Sequence, residues 1–163
     1  MYKIGDHVLY GALGVMKIED IKDEVILGER KTYYVLSDIV GSESRTYVPF
    51  DNEKLVGNMK PLLTPEEIYE LLASYDSLPE LEWQRDSRVR QDRFKRVIES
   101  SDRAGLLSLI KTVKRVAKER EAQGKRGYVA DENAAKKARR LLNEELSFVL
   151  GDGKLDLDEL LEK

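Results

Sequence analysis

A chain of 163 residues, 41% hydrophobic and 36% charged, is long enough for one compact domain or two small ones, and its charge excess suits long solvated helix faces rather than disorder. It has no cysteine, which excludes disulfides, thiolate metal sites and cysteine nucleophiles and suits a reducing compartment. The formal net charge of -3 is unevenly spread: residues 1–82 hold 8 Lys/Arg against 16 Asp/Glu, residues 83–126 hold 14 against 6, and residues 127–163 hold 6 against 9.

The N-terminal stretch reads as short strands rich in Val, Ile, Tyr and Thr: HVLY (7–10), GVMKIEDI (14–21), EVIL (24–27), KTYYVLSDI (31–39) and SRTYVPF (44–50). Gly11, Gly14, Gly28 and Gly41 punctuate them. Strands this short and this closely spaced predict a small twisted barrel, with Pro49 at an edge or strand end because it cannot donate to a ladder.

The pattern changes near Pro61. Thr64-Pro65-Glu66-Glu67 predicts a capping box with proline at the first helical position, opening a helix through about Tyr75. A second helix is expected from about Trp83 to Ser100. Ser101-Asp102 is expected to cap a third, with Leu106, Leu109, Ile110, Val113, Val116 and Ala117 at helical spacing, ended by Gly124. Asp131 is expected to cap a fourth helix, ended by Gly151, and Asp156 with Glu159 a short last one. The fold class is therefore α+β: a Tudor/SH3-like β module over 1–57, a joint over 58–63, and an all-α domain of about five helices over 64–163.

Motifs for catalysis are missing. His7 is the only histidine, and a lone strand histidine is far more often structural. No phosphate-binding or dinucleotide fingerprint occurs. GDGKLDLDE (151–159) resembles a calcium loop only superficially: with Asp152 first, Leu157 stands where glycine is needed and Lys163 where glutamate is needed. No apolar run approaches the ~20 residues of a membrane span, and MYKIGDHVLY lacks the features of a signal peptide. The expectation is a cytosolic, non-enzymatic protein with no cofactor and no metal.

Binding surface remains. Trp83, the only tryptophan, opens a run holding Arg85, Arg88, Arg90, Arg93, Lys95 and Arg96. Lys111, Lys114, Arg115, Lys118 and Arg120 lie off the apolar stripe of the third helix, and Lys125-Arg126 follow it. Asp92 sits four residues from both Arg88 and Arg96, so part of this face reads as an ordinary salt-bridge ladder. A basic helical surface with one indole fits nucleic acid better than a membrane, which would call for several exposed large apolar residues. The rival reading makes Trp83 a core residue, since indoles are highly buried on average.

The motifs in order resemble the CarD/CdnL family of RNA-polymerase-binding transcription regulators over nearly the whole chain. IGDHVLYGALGVMKIEDI, GERKTYYVL and YVPFDNEKLVG resemble the family's β module, which is also similar to the polymerase-interacting domain of the transcription-repair coupling factor. Trp83–Arg88, Ser100–Asp102 and Lys137–Leu146 resemble its helical domain. The resemblance implies a cytoplasmic, nucleoid-associated monomer that docks on the polymerase β subunit through an edge strand, here Arg45, Tyr47 and Pro49. It also implies weak minor-groove contact with promoter DNA at the upstream edge of the bubble, through Trp83, Arg85, Arg88, Arg90, Lys125 and Arg126. Where some relatives carry arginine just before Val-Pro, this chain has Tyr47, and Arg45 shares its face two residues earlier. The basic helix after Trp83 looks about one turn longer than in those relatives. The alternative is a protein–protein adaptor whose basic helices bind an acidic protein surface.

Overall fold

The computed structural model describes residues 1–151 and 156–161. The chain divides into two units, Met1–Leu62 and Leu63–Lys163.

The first unit is an antiparallel sheet of β1 (His7–Tyr10), β2 (Val15–Ile26), β3 (Glu29–Asp38), β4 (Arg45–Pro49) and β5 (Met59–Pro61), in the order β4-β3-β2-β1-β5. A short helix, α1 (Glu53–Gly57), connects β4 to β5, with the Asn52 side chain accepting from Leu55 N–H at its start. The sheet is open: among the described residues no ladder joins β4 to β5, so the expected barrel does not close. The two segments read as separate strands at 14–21 and 24–27 are one strand, β2, because long pairing with β3 carries it through the polar stretch between them. The expected joint at 58–63 contains β5, whose Met59 lies opposite Tyr10 and whose Pro61 lies opposite Val8. Three residues ending in proline carry too little local strand signal to be read; pairing with β1 makes them one.

Val8, Met16, Ile18, Tyr34, Leu36, Val48 and Met59 form the core, with Tyr2, Ile21, Phe50 and Leu55 packed against it. Strict alternation along β2 would bring Asp20 inward after Met16 and Ile18. The register instead shifts between Ile18, opposite Leu36, and Asp20, opposite Val35. Glu19 is the extra residue of this β-bulge. It reverses the parity, so that Ile21, opposite Tyr34, continues the apolar face.

The second unit holds α2 (Pro65–Ala73), α3 (Ser87–Glu99), α4 (Arg103–Ala122), α5 (Val129–Leu150) and α6 (Leu157–Leu161). The capping box is present: Thr64 accepts from Glu67 N–H at 3.2 Å, and Glu67 accepts from Thr64 N–H at 3.1 Å. After Ala73 the chain tightens into a 3-10 turn at Tyr75–Ser77, whose carbonyl ends are collected by Lys111. Its Nζ donates to Tyr75 O, Asp76 O and Leu78 O. α4 and α5 pack together and α3 contacts both, burying Phe94, Ile98, Leu106, Leu109, Ile110, Leu141, Leu142 and Leu146. Glu145 is wholly buried and takes a two-point contact from Arg103 (2.9 and 2.6 Å) and the Leu63 N–H at 3.1 Å. Asp156 accepts from Asp158 N–H at the start of α6; of the superficial calcium-loop match, Asp152–Leu155 at its opening and Lys163 at its end lie outside the described residues.

Replacing Thr64 by Ala removes one half of the reciprocal cap. Urea unfolding of the helical unit is expected to show a loss of about 1 kcal/mol, with no change at the strands.

Candidate nucleic-acid interface

Trp83 is not on a helix. The expected start of α3 at Trp83 is four residues early, because Asp86 caps it: its Oδ1 accepts from Arg88 N–H (2.9 Å) and Val89 N–H (3.3 Å). The residues before Asp86 form a strap without regular secondary structure. Leu81 N–H donates to Thr112 Oγ1 at 2.9 Å, and the Arg115 guanidinium pairs with Glu80 at 2.6 Å, tying the strap to α4. Glu80 and Glu119 together hold Arg115 firmly charged, above its already high ordinary value.

At the end of this strap the indole is half-buried against two groups. The Arg90 guanidinium lies 4.3 Å from its ring centre, and the Tyr128 ring is 6.0 Å away at 34°. The sequence reading puts Arg90 on the surface as a nucleic-acid contact. It is instead 3% exposed and engaged at Nε and Nη1. Its Nε donates to Asp131 Oδ1 and Oδ2 (3.1 and 3.0 Å), and its Nη1 to the carbonyls of Gln84 and Arg85 (2.9 and 3.3 Å). Its face also meets the Tyr128 ring at 4.9 Å. Arg90, Phe94 and Ile98 repeat at four-residue spacing, and this stripe is the buried side of α3, so Arg90 goes inward with the two apolar residues.

Asp131 is correspondingly no cap. Tyr128 is the N-cap residue of α5, and Asp131 stands in the first turn, 2% exposed, accepting from Arg90 and from Gln91 Nε2. Its carboxylate still lies where the helix dipole favours it.

The loop after α4 is closed by Gly124 at φ 73°, a conformation that suits glycine. Gly124 N–H donates to Glu121 O and Lys125 N–H to Arg120 O. The Arg120 side chain crosses this loop: Nε donates to Arg126 O (2.6 Å), Nη1 to Tyr128 Oη (3.0 Å), and the guanidinium covers the Tyr128 ring at 4.1 Å.

The basic stretch is thus sorted by the fold. Lys111, Arg115 and Arg120, read as part of a basic surface, bind carbonyls, carboxylates and a phenol of the unit itself. Arg96 pairs with Asp92 at 3.5 Å, one rung of the expected ladder. Arg85, Arg88, Lys125 and Arg126 are exposed. The cluster around the indole also rests on Tyr128, which sequence reasoning missed. Its contacts with Trp83 and Arg90 span roughly forty residues of chain, and no local pattern announces them.

In the first unit, β4 is an edge strand. Arg45, Tyr47 and Pro49 share one face, while Val48 on the other is fully buried. Arg45 forms an ion pair with Glu19, the bulge residue, and donates to the carbonyls of Ser42 and Ser44. The Tyr47 ring lies 5.8 Å from that of Tyr33 and 5.5 Å from Lys22 Nζ. A hydrogen bond with Tyr47 is the first cause holding the Lys22 ammonium above its ordinary pKa. His7, in β1, is pushed below its ordinary value by burial first and by Lys17 second, which favours a neutral imidazole near pH 7. Among the described residues no cluster of three or more His, Asp or Glu is placed to hold a metal ion, and no helix is long and apolar enough to cross a membrane.

Removing the Asp131 carboxylate leaves the Arg90 charge buried and unpaired. Asp131→Ala is expected to cost about 3–5 kcal/mol in urea unfolding, with a shift in the emission of Trp83 under native conditions.

Residues 2–62 match the family described as the CarD-like/TRCF RID domain. No curated protein matches the chain.

Proposed function

We propose that this protein, whose N-terminal unit is a CarD-like domain of the kind that interacts with RNA polymerase, is a non-enzymatic transcription regulator of bacterial type that stabilises the open promoter complex. The first unit docks on the polymerase β subunit by adding a partner strand at the β4 edge, where Arg45, Tyr47 and Pro49 present one face. The helical unit brings Trp83 to the minor groove at the upstream edge of the bubble, with Arg85, Arg88, Lys125 and Arg126 on the phosphates. The protein works as a cytoplasmic, nucleoid-associated monomer with no cofactor, and polymerase supplies its location on DNA.

The observation that carries this reading is the mounting of Trp83. A tryptophan needed only for the core would be enclosed. This one is half-exposed, carried on a strap outside the helices, and held by Arg90 and Tyr128. An indole fixed in one orientation can replace base stacking lost at an opened step, worth about 1–3 kcal/mol by analogy with stacking platforms. Arg90 supports that role as a positioning residue rather than as a phosphate contact. The exposed Arg85 follows the indole by two residues, and Glu82 directly before it disfavours phosphate on the strap side.

Open-complex lifetime with purified polymerase tests the reading. Trp83→Ala is expected to retain polymerase binding while shortening the lifetime roughly five- to a hundredfold. An unchanged lifetime would instead favour an adaptor whose basic helices meet an acidic protein surface. Replacing Arg85 and Arg88 by Ala is expected to lower the salt slope of promoter binding by about 0.9 for each phosphate that is no longer neutralised.

A further inference from the structure

The hairpin joining β2 to β3 extends past the rest of the sheet. β1 pairs with β2 only as far as Lys17, and β4 pairs with β3 only as far as Tyr33. The last rungs, Glu24 opposite Lys31, Val25 opposite Arg30 and Ile26 opposite Glu29, belong to β2 and β3 alone. A two-stranded ribbon of this kind gains little from burial in water. Its tip is nonetheless apolar: Val25 is 53% exposed, Ile26 37% and Leu27 99%.

Leu27 is doubly unfavourable where it stands. It and Gly28 form the turn with φ of 53° and 81°, the pattern of a type I′ hairpin, in which Asn, Asp or Gly is preferred at the first position. Leucine there strains the backbone, and at 99% exposure its side chain gains nothing from the fold. Burial of the side chain against another molecule would offset both costs.

The stem narrows what that molecule is. The stem carries Lys22, Arg30 and Lys31 beside an equal number of acids, Asp23, Glu24 and Glu29, and two of the cations pair locally: Lys22 with Glu24 at 3.5 Å, Lys31 with Glu29 at 3.3 Å and with Asp51 at 3.4 Å. A charge-balanced stem has no preference for a polyanion or an anionic membrane. Three side chains at one tip fall far below the ~1,200 Å² of a specific interface, so the tip cannot sustain self-association alone and must supplement a larger contact. The ribbon lies within residues 2–62, the domain type that interacts with RNA polymerase. β3 carries the tip roughly 13 Å, about four residues, from the point where β4 begins to pair.

We propose that Leu27, with Val25 and Ile26, is an apolar anchor that enters a hydrophobic pocket on the RNA polymerase surface alongside the strand docked at β4. This rests on the polymerase reading above and adds a second contact of different chemistry.

The test compares full-length wild type, Leu27→Asn and Arg45→Glu for thermal melting, for affinity to core RNA polymerase at low and high salt, and for binding to neutral and anionic phospholipid vesicles. Leu27→Asn relieves the turn, so it is expected to melt higher than wild type. It is expected at the same time to bind polymerase about ten- to a hundredfold more weakly, a loss that persists at high salt. Opposite signs in stability and affinity are not produced by a structural role. A higher melting temperature with unchanged affinity overturns the anchor while leaving the β4 reading to Arg45→Glu, which weakens binding if that reading holds. Vesicle binding that depends on Leu27, with polymerase affinity unchanged, overturns it in favour of a lipid surface. If wild type does not bind polymerase at all, the proposed function fails and the anchor fails with it.

Discussion

A guanidinium cannot shed its charge, so burying one obliges the surrounding chain to satisfy it on every side. Arg90 imposes that obligation on the helical unit. Asp131 meets it from the first turn of α5, the carbonyls of Gln84 and Arg85 meet it from the strap, and the faces of Trp83 and Tyr128 cover what is left. One side chain therefore joins α3, the strap directly before it and the distant start of α5, and it orients the only indole. The ordering of Trp83 is incurred when the protein folds. A contact made afterwards by that indole loses correspondingly less freedom, which is the physical content of preorganisation.

In the sheet, too, one residue serves two ends. Glu19 is the residue that β2 has in excess, and the bulge it creates keeps Ile21 in the core. Lying outside the ladder, its carboxylate is available to pair with Arg45 on β4, two strands away. The irregularity that corrects the apolar face thus also holds the side chain at the exposed edge.

Charge is redistributed by folding rather than displayed as it is encoded. The excess of basic residues between 83 and 126 suggests one continuous surface. Lys111 instead terminates the turn after α2, Arg115 fastens the strap, and Arg120 fastens the loop before α5. The cations that face outward around Trp83 are fewer and more local than composition implies.

Local chemistry was enough to read four of the strand positions, the Thr64–Glu67 cap and the helix stops at Gly124 and Gly151. These depend on capping groups, φ preferences and short-range periodicity, all carried within a few residues. What the tertiary structure alone decided depends on contacts between distant residues. The sheet stays open because the edges formed by β4 and β5 do not meet in a ladder. β5 exists because β1 pairs with it. Asp131 becomes the partner of Arg90 rather than a cap because α5 begins earlier, with Tyr128 at its N-cap, and Arg90 lies on the buried stripe of α3. Spacing along a helix fixes which residues share a face, but no local pattern records which distant carboxylate will meet an arginine on the buried one.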